Sequence, residues 1–233
     1  FWGDVLIGLP LEQPARRIIR RVARRGFAAS VDAALAMSSQ AVRFYEKYGV
    51  PADRRFWVPL CVDNESWIKS VDELRPSRRE LRAAIGADPD LPAIAYVAHM
   101  RPNKRPMDVI DALQKMTVKA SLIMAGAGPL FEEVKSAVET RSVPRVHLLG
   151  AQKQKQLPSL YAMSDVFVLP SSPGEVTPLV IHEAMCSALP LVISDAVPSI
   201  IDFVRDGENG YVFPVGSVPE LASRLDAVLT DSN

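Results

Sequence analysis

From residue 92 onward the chain alternates two kinds of apolar pattern. Unbroken apolar runs at 93–98, 120–125, 145–149, 166–169, 191–194 and 211–213 are separated by stretches near 106–116, 129–140, 155–163, 178–188, 198–204 and 219–229, where apolar residues return at helical spacing. Short runs without polar alternation are buried on both faces, as in a parallel sheet sandwiched between helices. The alternation predicts an α/β domain with a doubly wound, Rossmann-like parallel sheet, whose ligands lie beyond the carboxyl ends of its strands. The earlier part of the chain reads as a strand at 33–37, a helix at 39–48 and a second strand at 55–58.

Composition narrows the class. The chain has 233 residues and is 48% hydrophobic, ample for a soluble core of one or two domains. Its 27 basic and 27 acidic side chains balance, which argues against general nucleic-acid binding. The balance conceals an asymmetry, because residues 1–60 hold ten basic and five acidic side chains and the remainder holds 17 and 22. The two cysteines, Cys61 and Cys186, imply no disulfide framework. No apolar run approaches the roughly 18 residues needed to span a bilayer. Phe1 is no natural start and no signal peptide is visible, so the expectation is an interior piece of a cytoplasmic protein.

The stretch PSSPGEVTPLVIHEAMCSALPLVISD, residues 170–195, carries the chemistry. A buried strand delivers the chain to a polar loop holding Glu175. A helix then starts near Pro178, and Glu183 lies just over one turn inside it. Proline suits a first helical turn, where its missing N–H would be unpaired anyway. The free N–H groups of Leu179 and Val180 at a partly positive helix end form a ready phosphate site. Glu183, four positions after Leu179, is expected to share its face. Amides for a diphosphate, flanked by carboxylates that accept hydrogen bonds from ribose and hexose hydroxyls, suit a nucleotide-sugar.

Glu175 through Glu183 resembles the E-x7-E motif of retaining glycosyltransferases of the GT-B fold, family 4. VHLLGAQKQKQLPSLYAMSDVFVLPSS, residues 146–172, is similar to that family's approach to the motif, and DFVRDGENGYVFPVGSVPELASRLDAVL, residues 202–229, to the turn and closing helix after it. Residues 30–67 resemble the last βαβ unit of the N-terminal domain, with Leu60 and Cys61 in place of the family's Asn-Gly. The resemblance divides the chain into the tail of an N-terminal, acceptor-side domain (1–60), an interdomain linker (61–91) and a C-terminal nucleotide-sugar-binding domain (92–233). It implies that most of the first domain lies upstream of Phe1, and that residues 1–233 alone are inactive.

The implied activity is hexosyl transfer from a nucleotide-diphosphate sugar to a sugar, lipid or other hydroxyl acceptor, with retention. Glu175 faces the transferred sugar and Glu183 the ribose, while Thr177, Pro178 and Leu179 meet the distal phosphate. Lys104, in HMRPNKRPMDVIDAL (99–113), falls in register with the family lysine that neutralises the departing diphosphate. His99 replaces the family arginine, with Arg101 and Arg105 close by to compensate. Gly126 and Gly128 in AGAGPL match the Gly-x-Gly-Pro turn near the donor. Backbone around 150–152, ending at Gln152, is expected to meet the base. Val176 and Ala188 stand where the family often has glycine.

No metal or other cofactor is implied, and three histidines with two separated cysteines make no convincing ligand set. His147 and His182 read as packing residues. Arg16, Arg17, Arg20, Arg21, Arg24 and Arg25 form the polar side of an amphipathic helix, read first as a solvated helix packed on the part of the N-terminal domain expected upstream of Phe1 and second as a peripheral membrane contact. Two further functions share the fold: a non-catalytic nucleotide-sugar-binding or partner module, and a sugar-nucleotide epimerase.

Overall fold

A computed structural model describes residues 2–3, 14–173, 178–197 and 200–231. The described residues fall into two units. The first holds those of 1–60, 173–177 and 197–203, and the second those of 61–172, 178–196 and 204–233.

In the first unit, β1 (Trp2–Gly3), α1 (Pro14–Ser30), β2 (Ala34–Ala36), α2 (Ser39–Lys47) and β3 (Arg55–Trp57) alternate, and the three strands pair in parallel in the order β1-β2-β3. Small residues let the layers close. Ala28, Ala34, Ala36 and Ala41 are buried with Tyr45 and Val50. Ser38 caps α2 by accepting from the Ala41 N–H at 3.2 Å, and the Asp202 carboxylate accepts from the Ser39 N–H at 2.9 Å, so an oxygen cap and an anion both meet the positive end of that helix. The Arg24 guanidinium lies 5.2 Å over the Phe44 ring and donates to the Tyr48 hydroxyl, so this arginine of the basic helix packs on its own unit.

Residues 61–91, expected as a linker, are largely helical and pack with the second unit. Asp63 caps α3 (Asn64–Leu74), and Trp67 and Val71 are buried one turn apart; α4 (Arg78–Ala84) follows. The Trp67, Val71 and Leu74 spacing is itself an amphipathic signal, obscured by the charged residues between them.

The second unit then winds β4 (Ala93–Val97), α5 (Pro106–Lys115), β5 (Ser121–Ala125), α6 (Phe131–Thr140), β6 (Val146–Gly150), α7 (Leu157–Ala162), β7 (Val166–Leu169), α8 (Leu179–Cys186) and β8 (Leu191–Ser194). After α9 (Ile200–Phe203), grouped with the first unit, come β9 (Gly210–Phe213) and α10 (Val218–Asp231). The strands β4 to β9 form one parallel six-stranded sheet in the order β6-β5-β4-β7-β8-β9. Every residue of β4, β5, β7 and β8 is buried, as unbroken apolar runs require. Valine and leucine side chains of α5 and α10 complete one core with Ile94, Tyr96 and Leu122. Boundaries shift by a residue or two. Leu157 begins α7 after a tight turn at Gln154–Gln156, and Pro178 is the cap of α8 rather than its first residue.

Candidate functional site

The sheet order reverses between β4 and β7. Strands β5 and β6 extend to one side of that pair and β8 and β9 to the other. Loops leaving the carboxyl ends of two such neighbours diverge, and the crevice between them is where open α/β sheets bind ligands. The loop after β4 carries His99, Arg101 and Lys104, and the loop after β7 leads into the E-x7-E stretch. The two are bonded together, because the Ser172 N–H donates 2.8 Å to the Asn103 carbonyl.

Lys104 ends a tight turn (Pro102–Lys104) whose position is fixed from the core: the buried Tyr96 hydroxyl donates 3.2 Å to the Lys104 carbonyl. Burial, with the Arg101 charge adding to it, pulls the Lys104 ammonium down to about 8. Arg101 and His99 are exposed on the same loop. Arg105 adopts a left-handed conformation (φ 47) before Pro106 and spends its charge on Asp108 at 2.6 Å.

The glycine turn after β5 lies against this loop. The Met100 N–H donates to the Ala127 carbonyl at 2.9 Å, and the Leu130 N–H to the Met100 carbonyl at 3.0 Å. A Cβ on Gly126 would sit 1.8 Å from the Ala98 carbonyl oxygen, and one on Gly128 would sit 2.5 Å from the Met100 carbonyl oxygen and 2.4 Å from His99 Nδ1. Glycine is required at both positions because two backbones touch there. Gln152, after β6, is half-buried and turns its amide back onto the Leu149 carbonyl at 2.6 Å.

On α8, Pro178 is buried and Leu179 is 43% exposed. Glu183, expected to share the Leu179 face, is instead 4% exposed and turned inward. Its Oε2 accepts from the Tyr161 hydroxyl at 2.9 Å and its Oε1 from Gln154 Nε2 at 2.9 Å. The Ser187 hydroxyl donates 2.7 Å to the Glu183 carbonyl and accepts from Trp67 Nε1 at 2.9 Å. Burial first, then the Glu183 charge, raises the Tyr161 phenol well above its ordinary range, so it stays a proton donor.

The structure therefore brings His99, Arg101, Lys104, Gly126 and Gly128 into adjoining loops, with Gln152 on the next strand end. Glu175 and Thr177 lie outside the described residues, as does Val176. His147 and His182 are half-buried and both are pulled down by burial. Sequence reading missed Tyr161, Gln154 and Trp67. Their signal was weak, since a tyrosine inside an apolar helix pattern reads as core.

The parallel six-stranded sheet and its switch-point site define an α/β protein matching glycosyltransferase structures of the GT-B type. Residues 77–233 match the model of the family described as glycosyl transferases group 1, and the chain belongs to that family. Among curated proteins it is similar to sulfoquinovosyl transferase SQD2 of Arabidopsis thaliana, at 29% identity over 71% of this chain and 33% of that protein. It is also similar to D-inositol 3-phosphate glycosyltransferase of Nocardia farcinica, at 27% identity over 92% of this chain and 48% of that one. The chain thus spans between a third and a half of these relatives. In fold it is similar to a structure of Anabaena Alr3699/HepE in complex with UDP and glucose, with a TM-score of 0.71 and 20% identity over 94% of this chain and 60% of that one. The galactosyltransferase WaaB in its apo form gives a TM-score of 0.69 and 23% identity over 87% and 54% of the two chains.

Proposed function

We propose that the second unit holds a nucleotide-diphosphate sugar at the β4–β7 switch point, and that the whole protein transfers its hexosyl group to a hydroxyl acceptor with retention of configuration. One observation carries this reading: the Lys104 loop and the loop entering the E-x7-E stretch leave adjacent strands and are bonded through Ser172 and Asn103. The relatives named sulfoquinovosyl transferase and D-inositol 3-phosphate glycosyltransferase support the reaction class.

In this reading Lys104 and the free amides at the start of α8 face the diphosphate. Charge develops on that group as the anomeric bond breaks through an oxocarbenium-like state, so fixed positive groups there lower the barrier. The charge is carried by protein groups, and the reading calls for no metal. Glu183 accepts from the ribose and Glu175 faces the hexose. Gly126 and Gly128 let backbone approach the donor, and Gln152 marks the base end. The acceptor belongs to the domain of which β1 to β3 are part, and the working compartment is the cytoplasm, with the exposed Arg21 and Arg25 of α1 facing an anionic membrane surface.

The test is turnover of a panel of nucleotide-hexoses by the full-length protein, with the product anomer read by NMR. Transfer with the donor's configuration kept supports the reading. An inverted product removes retention, and tight nucleotide binding with neither transfer nor donor hydrolysis makes the protein a binding module.

A further inference from the structure

Glu183 has two hydrogen-bond partners of opposite character. Tyr161 is completely buried, held between Trp67 at 5.5 Å and Phe167 at 6.0 Å between ring centroids. A ring packed on both sides has no alternative rotamer open to it. Gln154 approaches the other carboxylate oxygen from the solvent side, in an exposed one-turn segment. Among the described residues, Glu183 is the hydrogen-bond partner of its side-chain amide.

We propose that these two residues divide the work at Glu183: Tyr161 is a permanent positioning residue that aims the carboxylate, and Gln154 is an exchangeable occupant that yields Oε1 to a hydroxyl of the bound nucleotide. The inference rests on the donor-site reading above. A carboxylate is acceptor-only and offers about four lone-pair sites. With Oε2 held by the phenol and the backbone carbonyl held by Ser187, Oε1 is the oxygen with a removable partner. Exchanging one neutral donor for another at the same oxygen is close to balanced, so the ligand hydroxyl meets competition rather than a void. Apparent affinity is then reduced by the fraction of molecules in which Gln154 still occupies the oxygen.

The competition is specific to ribose hydroxyls, which gives a sharp test. Calorimetry on the full chain would first choose the tightest binder among UDP, GDP and ADP, then compare it with its 2′,3′-dideoxy counterpart. Gln154→Ala is expected to tighten the ribonucleotide about fivefold and leave the dideoxy form unchanged, because only the hydroxyls displace the glutamine. Tyr161→Phe is expected to weaken the ribonucleotide about tenfold and bring the two ligands toward equal affinity, because the carboxylate is no longer aimed. A purely structural tyrosine would weaken both ligands alike. The inference is overturned if Gln154→Ala shifts both ligands equally or weakens the ribonucleotide, or if Tyr161→Phe keeps the wild-type ratio. Glu183→Gln separates the two levels. If it abolishes the ratio while the other variants leave it untouched, only this inference falls. If wild-type protein binds none of the nucleotides, or Glu183→Gln keeps the ratio, the donor-site reading falls with it.

Discussion

Asp165 and Arg82 form an ion pair, Oδ2 to Nη2 at 2.6 Å, with 4% of the arginine side chain exposed. The pair joins α4 to the start of the sheet. Asp165 also binds Arg78 and accepts from the Ala93 N–H at 2.7 Å, while Arg82 donates to the carbonyls of Met163 at 2.7 Å and Leu91 at 2.9 Å. Burial lowers the Arg82 pKa from its ordinary value, with Asp165 opposing the shift.

Removing one member of a buried pair strands the other charge. Asp165→Ala is therefore expected to cost roughly 3–5 kcal/mol of folding stability. Urea unfolding measures it, and a loss below about 1 kcal/mol would mean water replaces the carboxylate.

Lys104 predicts a pH dependence of nucleotide binding. With its pKa lowered to about 8, the ammonium is charged below that value and neutral above it. Diphosphate prefers the charged form, so affinity should be full at lower pH and decline as pH rises through about 8. Lys104→Ala should be weaker and lack this decline. Lys104→Arg should hold its affinity to higher pH, because a guanidinium stays protonated. A nucleoside without phosphates should show no such profile, and calorimetry across pH compares all three proteins.

The two acids of the motif should separate by ligand. Glu183→Gln keeps the shape and removes the ionised acceptor, so nucleoside diphosphate affinity should fall by about tenfold. Glu175→Gln should spare the bare nucleotide and weaken only the sugar-bearing donor. If both variants bind nucleoside diphosphate normally and the full-length protein still turns over, the motif assignment fails.

Ala188 sits at φ 51 immediately after α8, where the Leu189 N–H reaches back to the Ala184 carbonyl at 3.0 Å and the Ala188 N–H to the Met185 carbonyl at 2.9 Å. This is a Schellman end, a place that favours glycine. An L-residue in that region carries about 1–2 kcal/mol of strain, and glycine gives back about 0.5–1 through its freer unfolded chain. Ala188→Gly should thus stabilise by about 0.5–1 kcal/mol. A lower melting temperature would show that the methyl group makes a contact worth more than the strain.

What was legible in the sequence follows from how local each signal is. The strands at 166–169 and 191–194 were placed to the residue, because an apolar run bounded by polar residues leaves little choice. Gly126 and Gly128 were legible as close-approach glycines, although only the fold names Ala98 and His99 as what they approach. The inward turn of Glu183 was not legible. Its partners Gln154 and Tyr161 lie 29 and 22 positions away, and helical spacing speaks only about neighbours on α8. Helix α3 was not legible because charged residues Lys69, Asp72 and Glu73 interrupt the short apolar stripe of Trp67, Val71 and Leu74.

Trp67 gives the site an optical consequence. The chain has three tryptophans, and Trp2 and Trp57 belong to the first unit, leaving one indole in the second. That indole is 7% exposed, stands edge-on to Tyr161, and reaches the Glu183 carbonyl through the Ser187 hydroxyl. Its emission energy and lifetime depend on the dipoles within a few ångströms, which include the Tyr161 phenol that holds the carboxylate and the Ser187 hydroxyl that holds the Glu183 backbone. The protein thus carries an intrinsic fluorophore wired to its candidate ribose acceptor. With Trp2 and Trp57 replaced by phenylalanine, rearrangement around Glu183 becomes a change of colour that can be followed in a stopped-flow cell without any label.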